Sequence, residues 1–494
     1  MTETPRDPSI AIIGAGFAGL CMAIQLKKAG IHDFVIFESA AEVGGTWRDN
    51  TYPGCACDVP SHLYSFSFEP HAAWTKEYSG QAEILEYIRG CVDKYGLRPH
   101  LRLATEVART TFDEAHGRWT LETAAGERHA FKIVVAAVGG LRVPSTPRFP
   151  GAERFEGPAF HSARWEHGFD PRGKRVAVIG TGASAIQAVP RLAAEVSALH
   201  LYQRTPPWVL PRRERAYSAA EQERFASRPA LARLYRYALY WRMESAALGF
   251  VRYPWILRLG ERLGRWHIRR GVADPALAER LTPRFAIGCK RILFSNDYYP
   301  AIARDHVELV TDPIVSITER GIVAADGRER EVDAIVYCTG FAPRDYLAPM
   351  EVRGLGGVEL GERWRSGAEA YLGISVADFP NLFVLVGPNT GLGHNSVIFM
   401  IEAQVHYALA GIQAIRDEGL RYLDVLPEVQ RGFNQGLQAR MGRTVWSSGC
   451  QSWYLDEAGH NNTLWPGTTW EYWLRTRRLR RGDYRVARYD GQGE

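Results

Sequence analysis

The apolar positions along the chain spell one unit twice. Residues 9–13 are an almost unbroken apolar run, the pattern of a strand covered on both faces. They lead into Gly14-Ala15-Gly16-Phe17-Ala18-Gly19. Residues 20–29 then place apolar side chains at helical spacing up to Gly30, and a strand over 34–37 ends in Glu38. The second copy begins with a strand over 175–179 and turns through Gly180-Thr181-Gly182-Ala183-Ser184-Ala185. It continues as a helix to about residue 194, kinked at Pro190, and reaches a strand over 199–202 just before Gln203 and Arg204. Two further apolar strands, 133–138 and 334–338, end in Gly139-Gly140 and Gly340, and a third buried strand is predicted over 381–386.

This pattern predicts an α/β protein with two Rossmann-like dinucleotide-binding domains. The first comprises 1–146 and resumes over 341–494; the second, 147–340, follows an extended linker marked by Pro144, Pro147 and Pro150. Between about 212 and 285 the β-branched runs give way to Arg, Leu, Ala and aromatic residues, which predicts a helical insertion in the second domain. Its most apolar part, 231–257, is interrupted by Arg233, Arg236, Arg242, Glu244 and Arg252, so it reads as amphipathic helix and no membrane span is expected. Most of its aromatics are expected in the core, with some available as a lid over an apolar substrate. These are Trp208, Tyr235, Tyr237, Tyr240, Trp241, Phe250, Tyr253 and Trp255.

Composition narrows the class. In 494 residues, 46% are hydrophobic and 23% charged, which excludes a disordered or coiled-coil chain. The net charge of +5 is too small to argue for nucleic acid. The polar 1–8 segment lacks the features of a leader peptide. Seven cysteines are an odd and sparse set, pointing to reduced thiols and a cytoplasmic setting. Cys55 and Cys57 are spaced CxC, unlike a zinc or redox CxxC pair, and no metal site is expected. The cluster Arg477, Arg478, Arg480 and Arg481 reads as a solvated basic end.

The two glycine loops differ in what they should hold. Glycines in such a turn let backbone approach a pyrophosphate seated at the following helix N-terminus. About two dozen residues past the first glycine stands Glu38 in one copy and Arg204 in the other. A carboxylate accepts hydrogen bonds from ribose hydroxyls, whereas a guanidinium grips a 2′-phosphate. The first unit is therefore expected to bind FAD and the second NADPH.

Two longer patterns are more specific. One is Gly44-Gly45-Thr46-Trp47, followed by Tyr52-Pro53-Gly54 and Asp58; the other is Phe155-Glu156-Gly157, followed by His161 and Trp165. With the paired loops, they make nearly the whole chain resemble the Baeyer–Villiger monooxygenases, flavoenzymes that convert ketones to esters or lactones. Glu166 departs from the Pro or Asp usual after that tryptophan. The segment Gly288-Cys289-Lys290-Arg291 is similar to the family's active-site segment, and Ser452-Trp453-Tyr454 to the part that closes over the nicotinamide cofactor. Residues 456–460 depart from the usual continuation.

The resemblance implies a reaction of ketone, dioxygen and NADPH through a C4a-peroxyflavin, with Arg291 and Asp58 catalytic. It places FAD against Gly14, Gly16, Phe17, Ala18, Gly19, Glu38, Gly45, Thr46, Trp47, Asp58, Tyr64 and Val107. It places NADPH against Gly180, Thr181, Gly182, Ala183, Ser184, Ala185, Arg204, Thr205, Lys290, Arg291 and Trp453. His161 is expected to hold the linker. A glycine turn near Gly391 enters a long helix capped by Asn395 or Ser396, whose N-terminus either faces the flavin or simply starts a core helix. Rival readings are a monooxygenase acting on nitrogen or sulfur, a disulfide reductase, which would need a redox cysteine pair, and a non-enzymatic cofactor-binding regulator.

Overall fold

The computed structural model describes residues 9–342, 346–450, 452–456 and 459–489. The 1–8 segment lies outside the described residues, as do Glu457 and Ala458 of the divergent 456–460 stretch.

Two five-stranded parallel sheets form the frame. The first has the order Leu382–Val384, Ile133–Ala136, Ile10–Ile13, Phe34–Phe37, Leu101–Arg102. The second has the order Val307–Val310, Ala198–Tyr202, Arg175–Ile179, Ala334–Tyr337, Ala159–His161. In each, the strand entering the glycine loop is central. Ile10 pairs with both Phe34 and Ile133, and Val176 with both Leu199 and Ala334.

Alternation along these central strands explains why they are apolar throughout. Ile10 and Ile12 pack towards helices Phe17–Lys28 and Val397–Asp417, while Ala11 and Ile13 pack towards a meander containing Phe112, Trp119 and Leu121. Val176 and Val178 likewise face helix Ala183–Leu192, and Ala177 and Ile179 face Ile317 and Ile322 of a smaller meander. These covering meanders, Val107–Asp113 to Arg128–Phe131 and Ile314–Ile317 to Glu329–Glu331, have no counterpart in the sequence reading. Buried polar residues inside them, such as Thr110, Thr123 and Arg330, weaken their apolar alternation.

Between the paired strands Val209–Leu210 and Leu293–Phe294 the chain is helical, with Ala219–Ser227, Pro229–Val251, Arg258–Gly271 and Pro275–Arg280. After Gly340 the chain supplies Leu382–Val384 to the edge of the first sheet. The arginine-rich end leads into strand Tyr484–Ala487, which pairs with Tyr422–Val425. Among the described residues one helix, Val397–Asp417, is long and apolar enough to cross a membrane, and more than half of it is buried in the protein.

Candidate active site

The first glycine loop is shaped by backbone crowding. Gly14 has φ +106°, and a Cβ there would lie 2.6 Å from the Ala137 carbonyl oxygen. Helix Phe17–Lys28 starts without a side-chain cap, so its first amides are available to an anion. Glu38 is buried at the end of Phe34–Phe37. Its carboxylate accepts from Ala15 N at 2.9 Å, from Ala40 N at 3.0 Å and from Arg48 at 2.9 Å. Gly45 abuts the loop from the opposite side, where a Cβ would lie 3.2 Å from the Gly16 Cα. Trp47 Nε1 donates to Tyr64 Oη at 3.1 Å, fixing both rings on the cavity wall.

The second loop repeats this geometry. Gly180 has φ +109°, a Cβ there would lie 2.4 Å from the Cys338 carbonyl oxygen, and helix Ala183–Leu192 again lacks a side-chain cap. Thr181 donates to the Thr205 carbonyl at 3.0 Å. Here the flanking charge is positive. Burial, reinforced by the positive charge of Arg204, holds Lys290 below the usual lysine range. Neither cation has an ion-pair partner among the described residues. Two neighbouring unpaired cations at a glycine loop suit a phosphate, and the uncapped helix start suits the adjoining pyrophosphate.

Both loops open into one cavity of about 1710 Å³. Arg291 and Asp58, 233 residues apart, meet on its wall. Arg291 Nε lies 3.1 Å from Asp58 Oδ2, and Nη2 lies 2.9 and 2.7 Å from the two carboxylate oxygens. The side chain of Arg291 is 41% exposed, and that exposure is to the cavity that it lines. Asp58 pushes the guanidinium further above its already high pKa, so the charge is permanent. A bidentate partner also offsets the desolvation of a cation within the protein. Tyr454 stands close by; burial raises its hydroxyl to about 12.

Local contacts explain how Asp58 reaches this place. A Cβ on Gly54 would lie 2.6 Å from the Gln187 carbonyl oxygen, so the Tyr52-Pro53-Gly54 turn rests directly on the second loop's helix. Gln187 accepts from Tyr52 Oη at 2.9 Å and from Ala56 N at 3.2 Å, and donates to Ala56 O at 3.0 Å. The long first pattern is thus a joint between the two dinucleotide units. In the second pattern, His161 Nδ1 accepts from Ala163 N at 3.1 Å, and the ring packs 5.7 Å from Phe341. Glu166 accepts from Gly168 N in a local turn, so its departure leaves the fold around Trp165 intact.

The cavity is lined by all the residues proposed for FAD and NADPH except two. Gly19 and Ala185 do not line it. A Cβ on Gly19 would lie 1.9 Å from the Gly14 carbonyl oxygen, and Ala185 is fully buried; this third position lets helix pack closely on strand. The lid expectation also fails, because none of the eight aromatics of the insertion lines the cavity. Trp208, Tyr240 and Phe250 are core, while Tyr237, Trp241, Tyr253 and Trp255 face outward.

Ser396, rather than Asn395, caps the long helix by accepting from Ile398 N. Asn395 instead lines the cavity and donates to buried Glu244 at 2.6 Å. Arg48, Gln187 and Tyr454 also line the cavity, and sequence alone assigns none of them a role there. Arg48 directly follows Gly44-Gly45-Thr46-Trp47 and Tyr454 ends Ser452-Trp453-Tyr454, whereas only the fold reveals Gln187.

The cysteines correct another expectation. Cys289 and Cys450, 161 residues apart, form a disulfide that ties the Arg291 segment to the segment bearing Trp453. Cys number and spacing do not disclose it, because the two meet only in the folded chain. Cys55 and Cys57 line the cavity as free thiols. Burial pushes Cys55 up to about 11 and Cys57 higher, so neither is the thiolate that disulfide exchange requires.

Comparison with known proteins decides the family. The chain is 48% identical over 484 residues to a protein of Pseudomonas aeruginosa named Baeyer–Villiger monooxygenase, covering 98% of this chain and 92% of that one. This chain is a Baeyer–Villiger monooxygenase. A Streptomyces coelicolor monooxygenase of the same name is 47% identical over 97% of this chain and 92% of its own. A family model described as pyridine nucleotide-disulphide oxidoreductase matches residues 11–228. Among solved structures, an oxidized steroid monooxygenase bound to NADP is 31% identical, with TM-score 0.87 over 97% of this chain and 99% of that one. A closed cyclohexanone monooxygenase is 28% identical, again with TM-score 0.87 and the same coverage.

Proposed function

We propose that this monooxygenase uses NADPH, FAD and dioxygen to convert ketones to esters or lactones, with Arg291 as the catalytic cation. The observation that carries the assignment of roles is the bidentate Arg291–Asp58 pair on the wall of a cavity that both glycine loops reach. FAD, when bound and reduced by NADPH, supplies the activated oxygen that is inserted beside the ketone carbonyl.

The chain's own residues do the rest. Glu38 and the open amides of the first loop hold the ribose and pyrophosphate of FAD; Arg204 and Lys290 hold the 2′-phosphate of NADPH. Arg291 stabilises negative charge that develops on oxygen. A fixed guanidinium suits this task, because it is always charged and is a poor proton donor. Asp58 is a positioning residue that fixes the fork of Arg291. Trp453 and Tyr454 close the same wall, tied to the Arg291 segment by the disulfide. Oxygenation of nitrogen or sulfur is the less favoured reading, since the relatives at nearly half identity carry the Baeyer–Villiger name.

The direct test is turnover of linear, cyclic, aryl and steroid ketones with NADPH under ¹⁸O₂. The expected result is ester or lactone carrying one labelled oxygen, with one NADPH consumed per product. NADPH consumption without oxygenated product across the panel, alongside oxidation of a thioether, would overturn the reading.

A further inference from the structure

The helical insertion carries an outward face that the reaction does not use. Helix Pro229–Val251 buries Leu239, Tyr240, Glu244, Ala247 and Phe250 on its inner side. Its outer side presents Leu234, Tyr237, Trp241 and Leu248, with Leu234 65% exposed. These lie three, four and seven residues apart, so they form one stripe. The next helix, Arg258–Gly271, repeats this arrangement: Gly264, His267 and Ile268 face in, and Leu259, Leu263 and Trp266 face out. The connecting turn exposes Trp255 at 64%.

The charge of this face has one sign. Arg233, Arg252, Arg258, Arg262, Arg269 and Arg270 are exposed beside the stripes, and no ion pair engages them among the described residues. The only acidic residues in the two helices are occupied. Glu244 is buried against Asn395 and Thr469, and Glu261 accepts from Ile287 N. Nearby Asp274 caps its own helix, and Glu279 pairs with Arg284. A third helix, Thr469–Thr476, is joined to the first through Tyr240 and Glu244 and exposes Trp470 and Trp473, followed by Arg477 and Arg478.

We infer that this face docks on an anionic lipid bilayer. Leucine and tryptophan at a helix surface, flanked by unpaired arginines, match the composition of helices that lie in the membrane interface. A second copy of the chain fits poorly, because a two-fold contact would set arginine stripes against each other. A nucleic acid would satisfy the arginines and leave the leucines without an apolar partner. Docking would place the cavity close to the bilayer, since the helix presenting Trp241 also reaches the cavity wall through Glu244 and Asn395.

The test uses the FAD-loaded full chain and vesicle flotation. Vesicles of phosphatidylcholine mixed with phosphatidylglycerol are compared with phosphatidylcholine alone. We expect binding at least ~10-fold stronger to the anionic vesicles, weakening with salt, and a blue shift of tryptophan emission on binding. Trp255→Ser with Leu259→Ser should lower partitioning at least ~10-fold. Arg262→Gln with Arg269→Gln should lower it by roughly fivefold per arginine at low salt. Both variants should retain native melting and turnover of a water-soluble ketone. Absence of binding to anionic vesicles, unchanged binding by both well-folded variants, or burial of the face in a stable dimer would overturn the inference.

Discussion

The two glycine loops share a backbone and differ in charge. Gly14 and Gly180 have nearly the same positive φ and the same near-contact with the carbonyl of a neighbouring strand. The strand ends beside them diverge. Glu38 is buried and already held by two backbone amides and Arg48, whereas Arg204 is exposed and, like Lys290, has no ion-pair partner among the described residues. The first site is preorganised around an internal carboxylate, as suits a resident cofactor. The second presents positive charge at a glycine loop, as suits a phosphate.

The largest effects come from the shared backbone. Gly14→Ala forces a Cβ against Ala137 O at a conformation costing roughly 1–3 kcal/mol. Purified protein should lose most of its FAD, read by absorbance and melting temperature. Gly180→Ala carries the same strain against Cys338 O. It should keep FAD while its KM for NADPH rises by at least ~10-fold. Equal loss of FAD in both variants would break the division of labour.

Charge at the second site comes next. Removing the guanidinium in Arg204→Ala deletes charge-assisted hydrogen bonds worth about 1.5–3 kcal/mol, or ~10- to 100-fold in kcat/KM for NADPH. Activity with NADH and FAD content should hardly change. A parallel loss with NADH would show that Arg204 shapes the fold instead of reading the 2′-phosphate.

Acid has an effect that vanishes at neutral pH and grows below it. His62 belongs to the half that contains the first loop, and burial lowers its imidazole to about 4. The unfolded chain takes up a proton near pH 6.5, and the folded chain resists it. The His62 contribution is therefore full above about pH 6.5 and falls as pH drops towards 4, by roughly 2 kcal/mol at pH 5. FAD release in denaturant should shift to lower midpoints over that range, and His62→Phe should flatten the slope. A midpoint independent of pH would contradict it.

Much of this frame was legible in the chain. Apolar strands ending in glycine turns are dictated by burial and by positive φ, so both central strands and both loops stand out. The charge contrast of Glu38 and Arg204 is equally plain. The covering meanders are not, because polar residues sit inside them: Thr110 is fully buried, and Arg330 is buried between Glu308 and Asp326. Such satisfied polar groups erase the period-two signal. The joint through Gln187 and the Cys289–Cys450 bond depend on contacts across more than a hundred residues, which no local pattern encodes. The outward placement of Tyr237, Trp241, Tyr253 and Trp255 is hidden for a related reason, since a stripe reveals its spacing and not which side meets solvent.

On the proposed reading, the Arg291–Asp58 pair serves the oxygen chemistry and is not needed to retain FAD. Stopped-flow mixing of Arg291→Ala with NADPH, followed by oxygen and a ketone that the native enzyme turns over, tests this most directly. Normal FAD content, reduction of the flavin, and release of hydrogen peroxide with ester formation lowered by at least ~100-fold are expected. Ester formation at the native rate in that variant would contradict it.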